Sequence, residues 1–192
     1  KIPYVRIRAC GTDVPKTEDT VYRYLKALVP EAEQKGVTLL LETAGIYADT
    51  ARLMQMLDRF ACESLGALWD MNHTFRKAGE SAEVSLKNLG AYIRHVHLKD
   101  SEMVGGKAEY RLVGEGTLPL DDMMLALRSI NYDGFLSLEW DPAWMPDMTD
   151  MDIILLHYTS YMSRYRTRER AEKKLYENKL HTGKFIWQKE AL

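Results

Sequence analysis

The stretch VTLLLETA, residues 37–44, decides the fold that the sequence predicts. Its apolar residues are almost continuous, as in a parallel strand covered on both faces. Glu42 lies near its carboxyl end, directly after three leucines. A helical pattern precedes this strand from about residue 20 to residue 35 and stops at Gly36. The pattern therefore predicts a helix followed by a buried strand.

Strands and helices alternate in the same way along most of the chain. Four further strands are predicted, at residues 3–10, 65–70, 92–100 and 135–141. Further helices are predicted near residues 47–61, 80–90 and 119–130. Strands that alternate with helices at this spacing form right-handed βαβ crossovers and a parallel sheet, either open or closed into a barrel. The predicted fold class is therefore α/β with five parallel strands.

Composition limits the partners of the protein. The 192 residues contain 26 Lys and Arg against 28 Asp and Glu, a formal net charge of −2, which argues against nucleic acid and favours a small molecule. No apolar run approaches the roughly 18 residues of a membrane span, so we expect no membrane contact. Cys10 and Cys62 lack metal-type spacing, and we expect a cytoplasmic protein with reduced thiols. The start KIPYVRIRAC, residues 1–10, is neither a signal peptide nor an initiating methionine, so we expect the chain to be an excerpt.

Polar side chains fall at or near the carboxyl ends of four predicted strands. They are Glu42, Asp70, His97 and Glu139. In parallel α/β folds the active site is built at this end of the strands, so the four side chains should converge. Three carboxylates and an imidazole in a partly dry pocket repel one another and lose hydration unless a cation lies among them. The sequence therefore predicts one divalent metal ion, with Mn²⁺ or Mg²⁺ favoured and Co²⁺ or Zn²⁺ as alternatives.

Five short motifs carry a resemblance to a known family. In chain order they are LLLET (39–43), LWDMNH (68–73), HVHLKDS (95–101), VGEG (113–116) and LSLEWD (136–141). Together they resemble the sugar isomerase and epimerase superfamily of xylose isomerase-like TIM barrels, over roughly residues 3–160. The resemblance implies a (β/α)₈ barrel of which five of eight units are present, the fourth to the eighth. It also implies a partial barrel domain over residues 1–165, followed at 166–192 by a charged helix end and a linker-like tail.

The resemblance assigns roles to individual residues. It places the metal ligands at Glu42, Asp70, His97 and Glu139. His73 and Arg111 occupy substrate-contact positions in the family, and Lys99 is a further candidate for substrate contact, with pairing to Asp100 or to the rim of the barrel as the alternative. Glu42 and Glu139 are the expected catalytic pair, which takes a proton from one face of the substrate and returns it on the other.

The activity implied is isomerisation or epimerisation of a small sugar, sugar phosphate or keto-polyol through a metal-stabilised enediolate. Two alternatives stay open: a dehydratase of the inosose or dehydroshikimate type, and a non-catalytic metabolite-binding barrel remnant within a larger fused protein, in which case the fragment itself is inactive. Endonuclease IV resembles the chain at two motifs, but the segment KAEYRLVGEG (107–116) lacks its extra zinc ligands, which argues against DNA repair.

Three further expectations concern the strands and the edges of the sheet. Arg6 and Arg8 share one face of it and either reach the substrate or protect an exposed sheet edge from aggregation. Five parallel strands without closure leave two edges unpaired, so we expect a homo-oligomer or association within a larger multidomain chain. His95, one step before His97 on the same face, is expected to be a hydrogen-bonded core histidine.

Overall fold

A sheet of five parallel strands is the centre of this computed structural model, which describes residues 2–144 and 150–165. Its strands lie in the order β1 (Tyr4–Ile7), β2 (Thr38–Glu42), β3 (Leu65–Asp70), β4 (Ile93–Leu98) and β7 (Leu136–Leu138). A separate antiparallel hairpin, β5 (Asp100–Val104) and β6 (Lys107–Arg111), lies between β4 and β7 in the chain. The sheet curls into a half-barrel, which confirms the predicted α/β class and incomplete TIM barrel.

Five α-helices connect the strands. They are α1 (Val14–Lys35), α2 (Thr50–Asp58), α3 (Met71–Ala78), α4 (Ala82–Leu89) and α5 (Leu120–Ser129), with short 3₁₀ turns at Gly45–Ala48 and Pro142–Trp144. Helix α1 begins six residues before the predicted start, because the Asp13 side chain accepts a hydrogen bond from the Lys16 N–H and Pro15 suits the first turn. It ends where predicted, at Gly36, which adopts the left-handed conformation (φ 60°).

The sequence did not predict helix α3 or the β5–β6 hairpin. Asp70 ends β3 and also caps α3 by accepting a hydrogen bond from the His73 N–H, so the chain turns directly from strand to helix. The strand predicted to reach residue 100 ends at Leu98, and a hairpin begins two residues later. Gly105 and Gly106 both have positive φ, as a two-residue hairpin turn requires, so this Gly-Gly pair was the missed signal.

The buried core lies along the central strands. All six residues of β3 are buried, and four of the five in β2, which matches their nearly continuous apolar sequence. Trp69, Leu40 and Leu41 are among the largest fully buried side chains. The edge strands β1 and β7 are more exposed. The carboxyl ends of β2, β3 and β4 are therefore rigid positions on which polar side chains can be held.

The chain divides into two units, residues 1–149 and residues 150–192. In the second unit, residues 151–165 form a helix. The predicted charged helix end and tail at 166–192 lie outside the described residues. None of the described helices is both long and apolar enough to cross a membrane.

Candidate functional site

Four strands bring the predicted metal-ligand residues together at one end of the sheet. The parallel register pairs Asp70 with His97 and pairs Glu42 with Leu68, two residues before Asp70, so the carboxyl ends of β2, β3 and β4 lie near one another. Glu139 follows β7 and is held beside β4 because its N–H donates to the Leu98 carbonyl at 3.0 Å. One ligand atom from each residue of this acidic cluster (Glu42, Asp70, His97 and Glu139) lies within 4.8 Å of the other three.

The acidic cluster contains buried polar atoms without hydrogen-bond partners among the described residues. Glu42 and Asp70 are fully buried, whereas the side chains of His97 and Glu139 are 12% and 16% exposed. Both Glu42 carboxylate oxygens and His97 Nδ1 make no hydrogen bond to any described residue. Burying polar atoms without a hydrogen bond costs free energy, and a cation coordinated by all four side chains would compensate for it. The residues present therefore fit a divalent metal ion.

Lys99 and His73 also lie in the cluster. Lys99 Nζ donates to Asp70 Oδ2 at 2.6 Å and to Glu139 Oε2, and it lies 3.3 Å from His73 Nε2. His73 Nδ1 is 3.3 Å from Asp70 Oδ2. Lys99 thus pairs with the carboxylates of the rim, which was one of the two alternatives for this residue. The structure therefore places two of the three predicted substrate-contact residues, Lys99 and His73, against the acidic cluster.

Arg6 and Arg8 approach the cluster from β1. Arg6 Nη1 donates to Glu139 Oε1 at 3.1 Å and lies 3.8 Å from Glu42 Oε1. Arg8 Nε lies 3.7 Å from the other Glu42 oxygen. Both side chains therefore point toward the acidic cluster. Protection of the sheet edge alone does not explain this position.

Burial and neighbouring charges separate the pKa values of the carboxylates. Burial raises the pKa of Asp70 to about 6, even though the Lys99 ammonium opposes this shift. Burial also acts to raise the pKa of Glu139, but the bond and charge of Lys99 outweigh it and hold the pKa at about 2. The pKa of Glu42 is lowered, because His97 and the Arg6 charge outweigh the effect of burial. Glu42 and Glu139 are therefore ionised at neutral pH and able to accept a proton or a cation.

The same effects keep one imidazole neutral. Burial, together with the positive charge of Lys99, lowers the pKa of His73 to about 3. Burial likewise opposes the charged form of Lys99, but Asp70 and Glu139 outweigh it and raise the pKa of the ammonium. At neutral pH the site therefore contains a charged Lys99 beside an uncharged His73.

The structure does not bring Arg111 into the cluster. Arg111 lies on β6, where its Nε donates to Glu102 Oε1 and its Nη2 to Glu109 Oε2, both at 2.8 Å. Two carboxylates of the hairpin thus occupy the guanidinium that was predicted to contact substrate. His95 forms a hydrogen bond with Ser137 Oγ at 2.8 Å through Nε2, as expected, but it is half-buried rather than part of the core.

Asp100 has a role that the sequence analysis missed. Its buried carboxylate accepts hydrogen bonds from four backbone N–H groups, those of Ser101, Gly114, Gly116 and Leu118. The loop at 113–118, which contains the VGEG motif, is thereby fixed beside the end of β4. An acidic residue at a strand end followed by a Gly-x-Gly loop is the sequence feature that could have suggested this contact.

Comparison with known proteins gives the family. The family model described as a xylose isomerase-like TIM barrel matches residues 5–156. An uncharacterized protein of Methanocaldococcus jannaschii is 30% identical over 128 residues, which are 63% of this chain and 43% of that protein. The chain therefore spans less than half of this curated relative.

Solved structures agree in fold. The IolI protein crystallised with a zinc atom has a TM-score of 0.68 and 22% identity, over 83% of this chain and 62% of IolI. A D-tagatose 3-epimerase-like protein has a TM-score of 0.60 and 24% identity, over 84% of this chain and 64% of its own. At these identities the likeness shows the fold. Because the family model covers most of the sequence, the chain belongs to the xylose isomerase-like TIM barrel family.

Proposed function

We propose that this chain is the metal-binding part of an isomerase or epimerase that acts on a small sugar, sugar phosphate or keto-polyol. One observation carries the proposal. Glu42 is fully buried, and neither of its carboxylate oxygens accepts a hydrogen bond from a described residue. It lies with Asp70, His97 and Glu139 in a cluster whose ligand atoms are within 4.8 Å of one another. Solved relatives whose names include an epimerase and a zinc-bound protein support it.

The donor set indicates the kind of ion. Three carboxylates and one imidazole favour Mn²⁺ or Mg²⁺ over metals that require thiolates, and the zinc in IolI keeps Zn²⁺ among the candidates, with Co²⁺. When bound, such an ion polarises a carbonyl oxygen and stabilises negative charge that develops on it.

Glu42 and Glu139 are the proposed proton-transfer groups. His97 Nδ1 lies between them, 3.5 Å from Glu42 Oε1 and 3.8 Å from Glu139 Oε1, so the two carboxylates flank one point of the cluster. Both have lowered pKa values and are therefore ionised and ready to accept a proton from a carbon next to a carbonyl group. If each faces one side of the substrate, one takes the proton and the other returns one, which inverts the centre.

Lys99 and His73 have positioning roles in this proposal. Lys99 bonds to Asp70 and Glu139 and so fixes the orientation of two carboxylates at once. The neutral His73, which is buried, offers a hydrogen bond to a substrate hydroxyl without adding charge. The burial of Glu42 and Asp70 excludes water from the inner part of the site.

The proposal is tested by metal content and by hydrogen exchange. Chelator-treated protein is reloaded with Mn²⁺, analysed for bound metal, and incubated with D-fructose or with D-fructose 6-phosphate in deuterated water while NMR follows the carbon-bound hydrogens. We expect one ion per chain and loss of a signal next to the carbonyl group. The variants Glu42→Gln and Glu139→Gln should slow the exchange at least about 100-fold, whereas Glu63→Gln, whose side chain is 97% exposed, should not.

Three outcomes separate this function from its alternatives. Failure to bind a divalent ion, or exchange that is equally fast in both variants, contradicts the proposal. Bound metal with elimination of water from a keto-polyol favours the dehydratase. Bound metal without exchange or elimination on the sugars tried favours the non-catalytic metabolite-binding remnant.

A further inference from the structure

Arg6 and Arg8 present hydrogen-bond donors that the acidic cluster does not use. Only one guanidinium N–H group of Arg6 donates to a described residue, the one bonded to Glu139. The Arg8 guanidinium lies 3.7 Å from Glu42 and makes no hydrogen bond to a described residue. The two side chains are 42% and 45% exposed, so a molecule entering the half-barrel can reach them. Two guanidinium groups are therefore available beside the cluster.

The charges of the site balance before a metal ion is added. Its negative charges are the carboxylates of Glu42, Asp70 and Glu139, and its positive charges are the side chains of Arg6, Arg8 and Lys99. A divalent ion held by the same carboxylates leaves the site with two positive charges in excess. Uncompensated positive charge is unfavourable in a partly buried site. A neutral ligand would leave this charge uncompensated, whereas an anionic ligand would offset it and bind more tightly.

The positions of the arginines distinguish a binding role from protection of the sheet edge. Charges that only protect an edge strand from pairing need no partner inside the site. Arg6 and Arg8 each approach a different oxygen of the buried Glu42 carboxylate, at 3.8 and 3.7 Å. A metal ion on Glu42 and Glu139 would compete with the guanidinium groups for these oxygens and so release the groups for another anion.

We propose that Arg6 and Arg8 bind an anionic group of the substrate, a carboxylate or a phosphate, beside the metal-ligand cluster. This inference rests on the proposed function, since it assumes that a divalent ion occupies the cluster. It narrows the substrate from sugars in general to sugar acids and sugar phosphates. The guanidinium fork matches both anions, because each offers two oxygens to two parallel N–H groups.

The test measures binding by calorimetry, without turnover. The full chain loaded with Mn²⁺ is titrated with D-fructose, with D-fructose 6-phosphate and with 5-keto-D-gluconate, which carry no charge, a phosphate and a carboxylate respectively. We expect at least one anionic sugar to bind about 10-fold or more tightly than D-fructose, and the anion preferred identifies the class. In the double variant Arg6→Gln/Arg8→Gln this preference should disappear. In Arg23→Gln, whose guanidinium is 68% exposed and pairs with Asp19, it should stay within twofold.

The affinity for Mn²⁺ is the second readout. Removing two positive charges near the cluster should tighten Mn²⁺ binding in the double variant, or at least not weaken it. A variant that merely misfolds would bind Mn²⁺ more weakly, so opposite changes in metal and anion affinity separate loss of a binding group from structural damage.

The outcomes separate this inference from the proposed function. If Mn²⁺ binds and neither anionic sugar binds more tightly than D-fructose, the inference is wrong and the metal proposal stands. The same conclusion follows if Mn²⁺ binds and none of the three sugars does. The same holds if the double variant retains the preference for the anion. If Mn²⁺ itself does not bind, the proposed function fails and the inference fails with it.

Discussion

Replacement of the Asp100 carboxylate by an amide should cost a large part of the stability of the protein. Asp100 is 1% exposed, and each of its oxygens accepts two backbone hydrogen bonds: Oδ1 from Ser101 and Leu118 at 2.7 and 3.2 Å, Oδ2 from Gly114 and Gly116 at 2.9 and 3.0 Å. In Asp100→Asn an NH₂ group replaces one oxygen. Whichever way the amide is turned, this NH₂ group faces two backbone N–H donors and cannot accept from them. Two hydrogen bonds to a charged acceptor are therefore lost. At about 1.5–3 kcal/mol each, the free energy of unfolding should fall by about 3–6 kcal/mol.

The assay is urea unfolding followed by tryptophan fluorescence, since Trp69 is fully buried in β3. The matched control is Asp19→Asn, which removes a carboxylate that is 70% exposed and, among the described residues, forms an ion pair only with Arg23. It should change the free energy of unfolding by less than about 0.5 kcal/mol. Hydrogen exchange at the amides of Gly114 and Gly116 reports whether the loop alone detaches. A loss below about 1 kcal/mol in Asp100→Asn, with both amides still protected, would refute the reasoning.

Three further predictions follow from the same site and its supports. Glu42→Gln should weaken Mn²⁺ binding at least about 10-fold in a calorimetric titration, because a buried carboxylate is replaced by a neutral amide; unchanged affinity would remove Glu42 from the ligand set. In metal-free protein the pKa of His73, lowered to about 3, lies below its unfolded value near 6.5, so the unfolded chain binds a proton that the folded protein does not. The contribution of His73 to the free energy of unfolding is therefore full above pH 6.5 and falls as the pH is lowered toward 3. Between these pH values, the free energy of unfolding of the unsubstituted protein should fall more steeply than that of His73→Gln, by about 1.4 kcal/mol per pH unit. Gly45→Ala should lower the midpoint of thermal unfolding strongly, because Gly45 has φ +59° and an added Cβ would lie 2.4 Å from the Ala9 carbonyl oxygen. Gly79→Ala, at φ +67° with no atom within 4 Å, should lower it by much less, and equal effects would contradict the steric argument.

Local sequence accounts for the elements that were predicted well. Apolar continuity marks β2 and β3 because both are buried on two faces, and Gly36 marks the end of α1 because a left-handed residue ends the helix. Helix α3 was missed because the residue that ends β3 also caps the helix, which leaves no loop for a pattern to show. The hairpin was missed because its strands, DSEMV and KAEYR, have five residues each and contain too few apolar residues to show a strand pattern.

The sequence by itself determined which side chains reach the carboxyl end of the sheet. Parallel strands run in one direction, so the carboxyl ends of β2, β3, β4 and β7 lie at the same edge of the sheet for any conformation of the connecting loops. The acidic cluster therefore follows from the positions of its residues along the strands. Only the tertiary structure decided which charges pair there. Arg6 bonds to Glu139 across 133 residues, whereas Arg111, predicted at the site, pairs within its own hairpin. The reason is that an ion pair depends on a few ångströms between atoms, and strand curvature and side-chain rotamers set that distance only once the sheet has formed.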